Sequence, residues 1–180
     1  VLLAAWLVQC RESIARVDLS HNPGLLNRGL PTGGLVPWRH AWKQFCEALN
    51  AMPQVDSVHL QDVGMHDDAA HMLSEALSND TSLLCDTLRT LACAENDLRG
   101  PGKQAIAMII REAAKLKTLS VSVGSSRCVT DFERGAMNLQ RKTLNALDWP
   151  ILTAWVTHCT HRLEQIHLDD NPALLGSESS

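Results

Sequence analysis

The sequence has no apolar run long enough to cross a bilayer. Runs such as VLLAAWLV at residues 1–8 and AIAMII at 105–110 fall well short of the ~18 residues a spanning helix needs. It also lacks an excess of basic residues. With 16 Lys and Arg against 20 Asp and Glu, a net charge of −4 and a pI near 6.0, it offers no broad cationic surface to a phosphate backbone or an anionic leaflet. Nucleic acid and membrane are therefore not the expected partners. Nor is there a visible targeting segment, since Val1–Val8 has neither a charged lead nor an initiator Met before it.

Catalytic motifs are missing too. There is no G-x-S-x-G, no Cys in an electropositive setting, and no phosphate-cradling loop, because GPG at 100–102 is not followed by Lys-Ser/Thr. The carboxylates Asp67/Asp68 and Asp169/Asp170 are sequence neighbours, so they need not converge as a general acid and base would. Helix starts and turn solvation are the simpler roles for them. His158, Cys159, His161 and His167 invite a zinc reading, which requires three or four converging ligands. Aligned positions elsewhere in the chain are Gln9, Cys10, Glu12 and Asp18, an ordinary surface around a buried thiol. No enzyme activity, metal, cofactor or small-molecule ligand is expected.

Six cysteines are present, and their spacing does not suggest a disulfide framework. Cys10, Cys46 and Cys159 each follow a Trp by four residues, at Trp6, Trp42 and Trp155, and residues four apart share a helix face. Cys93 stands at an alternating apolar position of a strand. These read as buried small hydrophobes and free thiols, as in a reducing compartment, with cytoplasmic location the expectation.

What is there in quantity is a repeated pattern. Residues 88–102, LRTLACAENDLRGPG, place Leu88, Leu91 and Cys93 at spacings of three and two, then Asn96, Leu98 and a helix-like run carrying Ala105, Ile106, Ile109, Ile110 and Ala113. This is L-x-x-L-x-L-x-x-N/C-x-L, the leucine-rich-repeat signature. Physically it is a short strand whose alternate side chains enter a core, followed by an Asn that turns inward to satisfy backbone groups. Ile14, Val17, Leu19 and Asn22 repeat it, as do Leu163, Ile166, Leu168 and Asn171. Val55, Val58 and Leu60 give a further strand with Val63 at the Asn position. Leu116, Leu119 and Val121 give another, with Gly124 and Ser125 there.

Helices are expected over residues 1–12, 38–52 (apolar face Trp38, Trp42, Phe45, Cys46, Leu49), about 67–77 and 151–161. Asn79-Asp80 is expected to close the third of these. GPG at 100–102 is expected as a turn preceding the helix. Two connections are irregular. Residues 25–37, rich in Gly and Pro, read as a loop, and 125–148 as either a helix from about Asp131 to Leu147 or a degenerate strand at Leu144, Leu147 and Trp149.

Sliding the chain along itself aligns LLAAWLVQCRESIARVDLSHNPGLL at 2–26 with ILTAWVTHCTHRLEQIHLDDNPALL at 151–175 without a gap. Trp, Cys, Asn-Pro and two leucines coincide, so one helix-strand unit is used twice. Residues 1–180 are expected to form one domain, a section of a longer solenoid.

The segments 64–83 and 88–113 resemble the ribonuclease-inhibitor type of leucine-rich repeat. That resemblance implies an α/β solenoid, a horseshoe segment with short parallel strands on the concave side and α-helices on the convex side. It also implies a non-enzymatic scaffold holding another protein, or alternatively a GTPase-activating regulator of a small GTPase. Side chains between the buried strand positions would then meet the partner: Arg16, Asp18, Ser57, His59, Thr90, Ala92, Thr118, Ser120, Gln165 and His167. Asp18, His59, Ala92, Ser120 and His167 are expected to form one continuous column.

Overall fold

The computed structural model describes residues 2–10, 12–26, 38–78, 82–124, 126–131, 136–159 and 163–175. Much of the 25–37 connection, Asn79-Asp80 and His161 lie outside the described residues. The architecture is mixed α/β, with a sheet of mainly parallel strands and a layer of helices.

The first three strands are three residues long: β1 Arg16–Asp18, β2 Ser57–His59 and β3 Thr90–Ala92. They pair in parallel and in register, Val17 beside Val58 beside Leu91 beside Leu119 of β4, Thr118–Val123. Those four central residues are buried, because alternate side chains of a strand face the same side and this side meets the helices. The helices are α1 Leu2–Gln9, α2 Trp38–Asn50, α3 Asp67–Leu77, the short α4 Leu83–Thr87, α5 Gly100–Glu112 and α6 Trp149–His158. In the helical layer α1 packs on α2, α2 on α3, α3 on α5 and α5 on α6. Trp42, Phe45, Cys46 and Leu49 of α2, and Ile106, Ile109 and Ile110 of α5, supply the inward stripe at the three-and-four spacing of an amphipathic helix. No described helix is long and apolar enough to cross a membrane.

Four expectations need correcting. Gly100-Pro101-Gly102 is the first turn of α5, not a turn before it; Pro is tolerated there because the first N–H groups of a helix have no internal partner. Residues 126–131 form β5, Ser126–Asp131, antiparallel to β4. With β6 at Ala136–Asn138 it stands in place of the helix expected from about Asp131, and the degenerate strand expected at Leu144, Leu147 and Trp149 is instead a 3-10 turn, Ala146–Asp148, and the start of α6. The alternation of Leu119, Val121 and Val123 with Thr118, Ser120 and Ser122 ends at Gly124, which has φ +58°, and such a tight turn joins antiparallel strands. Third, β6 Ala136–Asn138 and β7 Gln165–His167 pair in parallel as a separate two-stranded sheet. Finally, Trp6 is 54% exposed and Cys10 only partly buried, while Trp155 and Cys159 are in the core.

The turns after the strands share one backbone feature. His21, Asp62, Glu95, Arg141 and Asp170 all have positive φ, each four residues beyond the central residue of its strand, Val17, Val58, Leu91, Met137 and Ile166. The turn at Asp62-Val63 therefore keeps its shape without an Asn. At Asn96 and Asn171 the amide does more than close its own turn. Asn96 Nδ2 donates to Cys93 O at 2.9 Å and Leu60 O at 2.7 Å, and its Oδ1 accepts from Val63 N and Met65 N at 3.1 and 3.0 Å. Asn171 repeats the arrangement with Leu168 O, Leu139 O, Lys142 N and Leu144 N. One amide thus ties each of these turns to the turn before it.

Candidate functional site

The face of the five-stranded sheet away from the core carries most of the residues expected to meet a partner. Register places Arg16 beside Ser57, Thr90 and Thr118, and Asp18 beside His59, Ala92 and Ser120. Arg16 and Asp18 are exposed, and Ser57, His59, Thr90 and Thr118 partly so. Ala92 and Ser120 lie in the same row but are only 5% and 4% exposed. Small side chains in the middle of a strand row are covered by their longer neighbours; here Arg127 of β5 reaches over, its Nε donating to Ser120 Oγ at 3.2 Å. They are floor, not contact surface.

The expected column also does not run to His167. Gln165 and His167 are exposed but belong to the β6–β7 sheet, where they pair with Ala136 and Asn138. The β4–β5 hairpin ends the first ladder, because β5 runs antiparallel and occupies the edge on which another parallel strand would pair. The candidate residues therefore form two groups.

At the β1–β2 end of the first group four polar side chains meet. Arg16 Nη2 donates to Asp18 Oδ2 at 2.5 Å, and Ser20 N donates to Asp18 Oδ1 at 3.1 Å. The guanidinium holds the Asp18 carboxyl down to about 2. Ser57 Oγ and His59 Nε2 are 2.9 Å apart. Burial, and then the charge of Arg16, hold the His59 imidazole below the ordinary histidine range, with Asp18 pulling the other way. Ser57 and His59 have the separation of a nucleophile and its base, but both oxygens of the neighbouring carboxylate are engaged by Arg16 and Ser20. The group that would orient the imidazole in a triad is committed elsewhere.

Other polar groups have structural partners. Asp67, at the start of α3, accepts from Arg99 N at 2.8 Å and Gly102 N at 3.0 Å, so a carboxylate already sits at the N-terminus of α5. A Cβ on Gly102 would collide with it, which is why glycine is required there. With Asp68, bonded to Arg39 at 2.6 Å, Asp67 lines a polar cleft of about 610 Å³ beside Asp97 and Arg99. His158 Nε2 lies 3.0 Å from Leu116 O. Among the described residues no three His, Cys, Asp or Glu side chains are grouped to hold a metal. None of the six cysteines is in a disulfide, and Cys46, Cys85, Cys93, Cys128 and Cys159 are buried. Burial pushes the Cys46 and Cys85 thiols up, and that of Cys93 to about 12.

One buried network went unread in the sequence. Lys103 and Asp148 form an ion pair in the interior, and Asp148 Oδ2 also accepts from Gly124 N at 3.0 Å and Asn145 N at 2.9 Å. One carboxylate thereby joins α5, the β4–β5 turn and the 3-10 turn Ala146–Asp148 that leads into α6. Lys103 three residues before Ile106 and seven before Ile110, hence on the apolar stripe of α5, was the available signal. A Cβ on Gly124 would strike the carbonyls of Lys142 and Thr143, so the hairpin, this turn and the buried pair specify one another.

No protein-family model matches the chain, and no curated protein matches it. Among solved structures it is similar to actin-binding site 2 of leiomodin-1, with 14% identity over 92% of this chain and 76% of that one and a TM-score of 0.54. At that identity the likeness concerns the fold.

Proposed function

We propose that the chain is a leucine-rich-repeat module of the ribonuclease-inhibitor type, a non-enzymatic scaffold that holds a protein partner against the sheet face opposite its helices. The observation that carries this reading is the inter-turn amide. Asn96 and Asn171 make matching bonds to Leu60, Val63 and Met65 and to Leu139, Lys142 and Leu144, as expected when one unit is stacked on the next in a solenoid. In that arrangement the open sheet face is the concave one. The leiomodin-1 likeness supports the reading to the extent that a similar fold serves there as an actin-binding site. Buried free thiols fit a reducing compartment such as the cytoplasm.

The partner-facing residues under this reading are Arg16, Asp18, Ser57, His59, Thr90 and Thr118. Ala92 and Ser120 form the floor beneath them, and Gln165 and His167 a second patch. The test uses Thr90→Arg with Thr118→Arg, both at partly exposed positions, against Met108→Arg on the exposed side of α5. Purified actin is the first probe, in co-sedimentation, followed by partners captured from lysate. The sheet-face variant is expected to lose the partner at an unchanged melting temperature, while Met108→Arg retains it. Retention by the sheet-face variant overturns the assignment of the face. Accelerated hydrolysis on adding the protein to a small GTPase would favour the regulator reading instead.

A further inference from the structure

We propose that Arg16, Asp18, Ser57 and His59 form a proton-responsive element on the open sheet face, in which protonation of His59 draws Asp18 away from Arg16 and releases the guanidinium toward a partner. The pairing register sets this up. Arg16 lies beside Ser57 and Asp18 beside His59, so the imidazole stands next to a carboxylate already bonded, at 2.5 Å, to the arginine of its own strand. Strands pair at about 4.8 Å, within range for an imidazolium and a carboxylate to attract strongly at a partly buried surface.

The charged groups facing His59 are Arg16 and Asp18, both on β1. Its own strand contributes Ser57, and on the other side β3 contributes Thr90 and Ala92, neither titratable. While the imidazole is neutral, Nε2 shares a hydrogen bond with the Ser57 hydroxyl whose donor depends on the tautomer, and Asp18 serves Arg16 alone among cationic side chains of the quartet. On protonation both ring nitrogens are donors, so the Ser57 hydroxyl accepts from Nε2, and two cations compete for one carboxylate. The quartet then carries one net positive charge where it carried none. Asp18 stays ionised from pH 8 to pH 5, since that range lies above the ordinary carboxylate value of 3.8 and either cationic neighbour, Arg16 or His59, lowers it further, so the change has a single titrating group. Below the His59 midpoint the face presents an unshared guanidinium, the group that pairs bidentately with a carboxylate on a partner.

The consequence for capture rests on the proposed function above, but the device is testable in the free protein. Nitrogen-15 NMR from pH 8 to pH 5 follows the His59 ring and the Arg16 Nε–H together. The Arg16 signal is expected to shift with the same midpoint as His59, and that shift to be lost in His59→Gln, which keeps a partner for Ser57 without a titrating ring. Three results overturn the proposal: an Arg16 signal that stays fixed while His59 titrates, the same Arg16 shift persisting in His59→Gln, or no His59 titration in this range. A failed capture assay leaves these readouts unaffected, so the two inferences fail separately.

Discussion

Residues 2–26 and 151–175 align without a gap in sequence, and the structure treats their two halves differently. The strand and turn halves keep the same elements, β1 at 16–18 answering β7 at 165–167 and the positive-φ residues His21 and Asp170 preceding Asn22 and Asn171, although Val17 is buried and Ile166 exposed. The helical halves do not. In α1 Ala4 and Leu7 are buried while Ala5 and Trp6 are exposed; in α6 the counterparts of the exposed pair, Ala154 and Trp155, are fully buried, and those of the buried pair, Thr153 and Val156, are exposed. A turn is specified by its own backbone and one amide, whereas an apolar helix settles by whichever face its neighbours cover. α1 is packed on α2, but α6 is packed on α5 and on the 3-10 turn pinned by Asp148.

The sharpest way to break this comparison is to truncate the two tryptophans. Trp155→Ala is expected to cost about 3–5 kcal/mol by removing a fully buried ring, and Trp6→Ala less than about 0.5 kcal/mol, as at an exposed site. Denaturant titration measures both, and equal losses would mean that the two helices are buried alike. Asp148→Ala is expected to cost about 3 kcal/mol, by leaving Lys103 buried without its partner and the N–H groups of Gly124 and Asn145 without their acceptor. The same measurement on Lys103→Met with Asp148→Leu should recover part of that loss, since removing both charges spares the interior an uncompensated ion.

The asparagines separate the copies by a smaller margin. Asn171, buried and bonded to the preceding turn, is expected to lose about 2–3 kcal/mol on replacement by Ala, and Asn96 a similar amount. Asn22, exposed and bonded to Leu19 O and Ser20 O of its own turn, should lose about 0.5–1 kcal/mol. A terminal position in the chain is thus no guide to the cost: Asn171 is the more enclosed of the pair it forms with Asn96. Thiol labelling of the folded protein extends the contrast to the cysteines. Cys10 is expected to react well before Cys46, Cys93 and Cys159, and all six after denaturation; a faster Cys159 would contradict its burial.

The smallest effect concerns Asp18, which occupies the position of His167 in the other copy. Its folded pKa is depressed to about 2 by Arg16, so its contribution to stability is present above the unfolded value of 3.8 and is lost as pH falls from there through about 2. Because the pair is exposed, the effect is a slight one. Asp18→Asn should flatten the acid limb of the stability profile in that window, and His167→Asn should leave that window unchanged.

Much of this was legible from residue order. The three-and-two spacing of Leu88, Leu91 and Cys93 located β3, and the gapless repeat located β1 and β7 to the residue, because strand register follows a period of two that any one-residue slip would invert. The β4–β5 hairpin was only half legible, since Leu119, Val121 and Val123 alternate with polar residues before Gly124 but Ser126–Asp131 shows no such alternation. The reach of Asn96 into the preceding turn, and the Lys103–Asp148 pair, join residues far apart in sequence and left no periodic trace.

What the amino-acid order determined alone is therefore the local grammar: short strands, left-handed turns four residues on, and helices with an apolar stripe. Those features depend on contacts within a few residues and on backbone sterics that act the same way at every recurrence. Only the tertiary structure decided which stripe of a Trp-rich helix is covered, that Ala92 and Ser120 lie under their neighbours, and that the parallel ladder stops at β5. Each of those outcomes turns on what packs alongside, and related helix segments with different neighbours bury different faces to remove the most apolar surface from water.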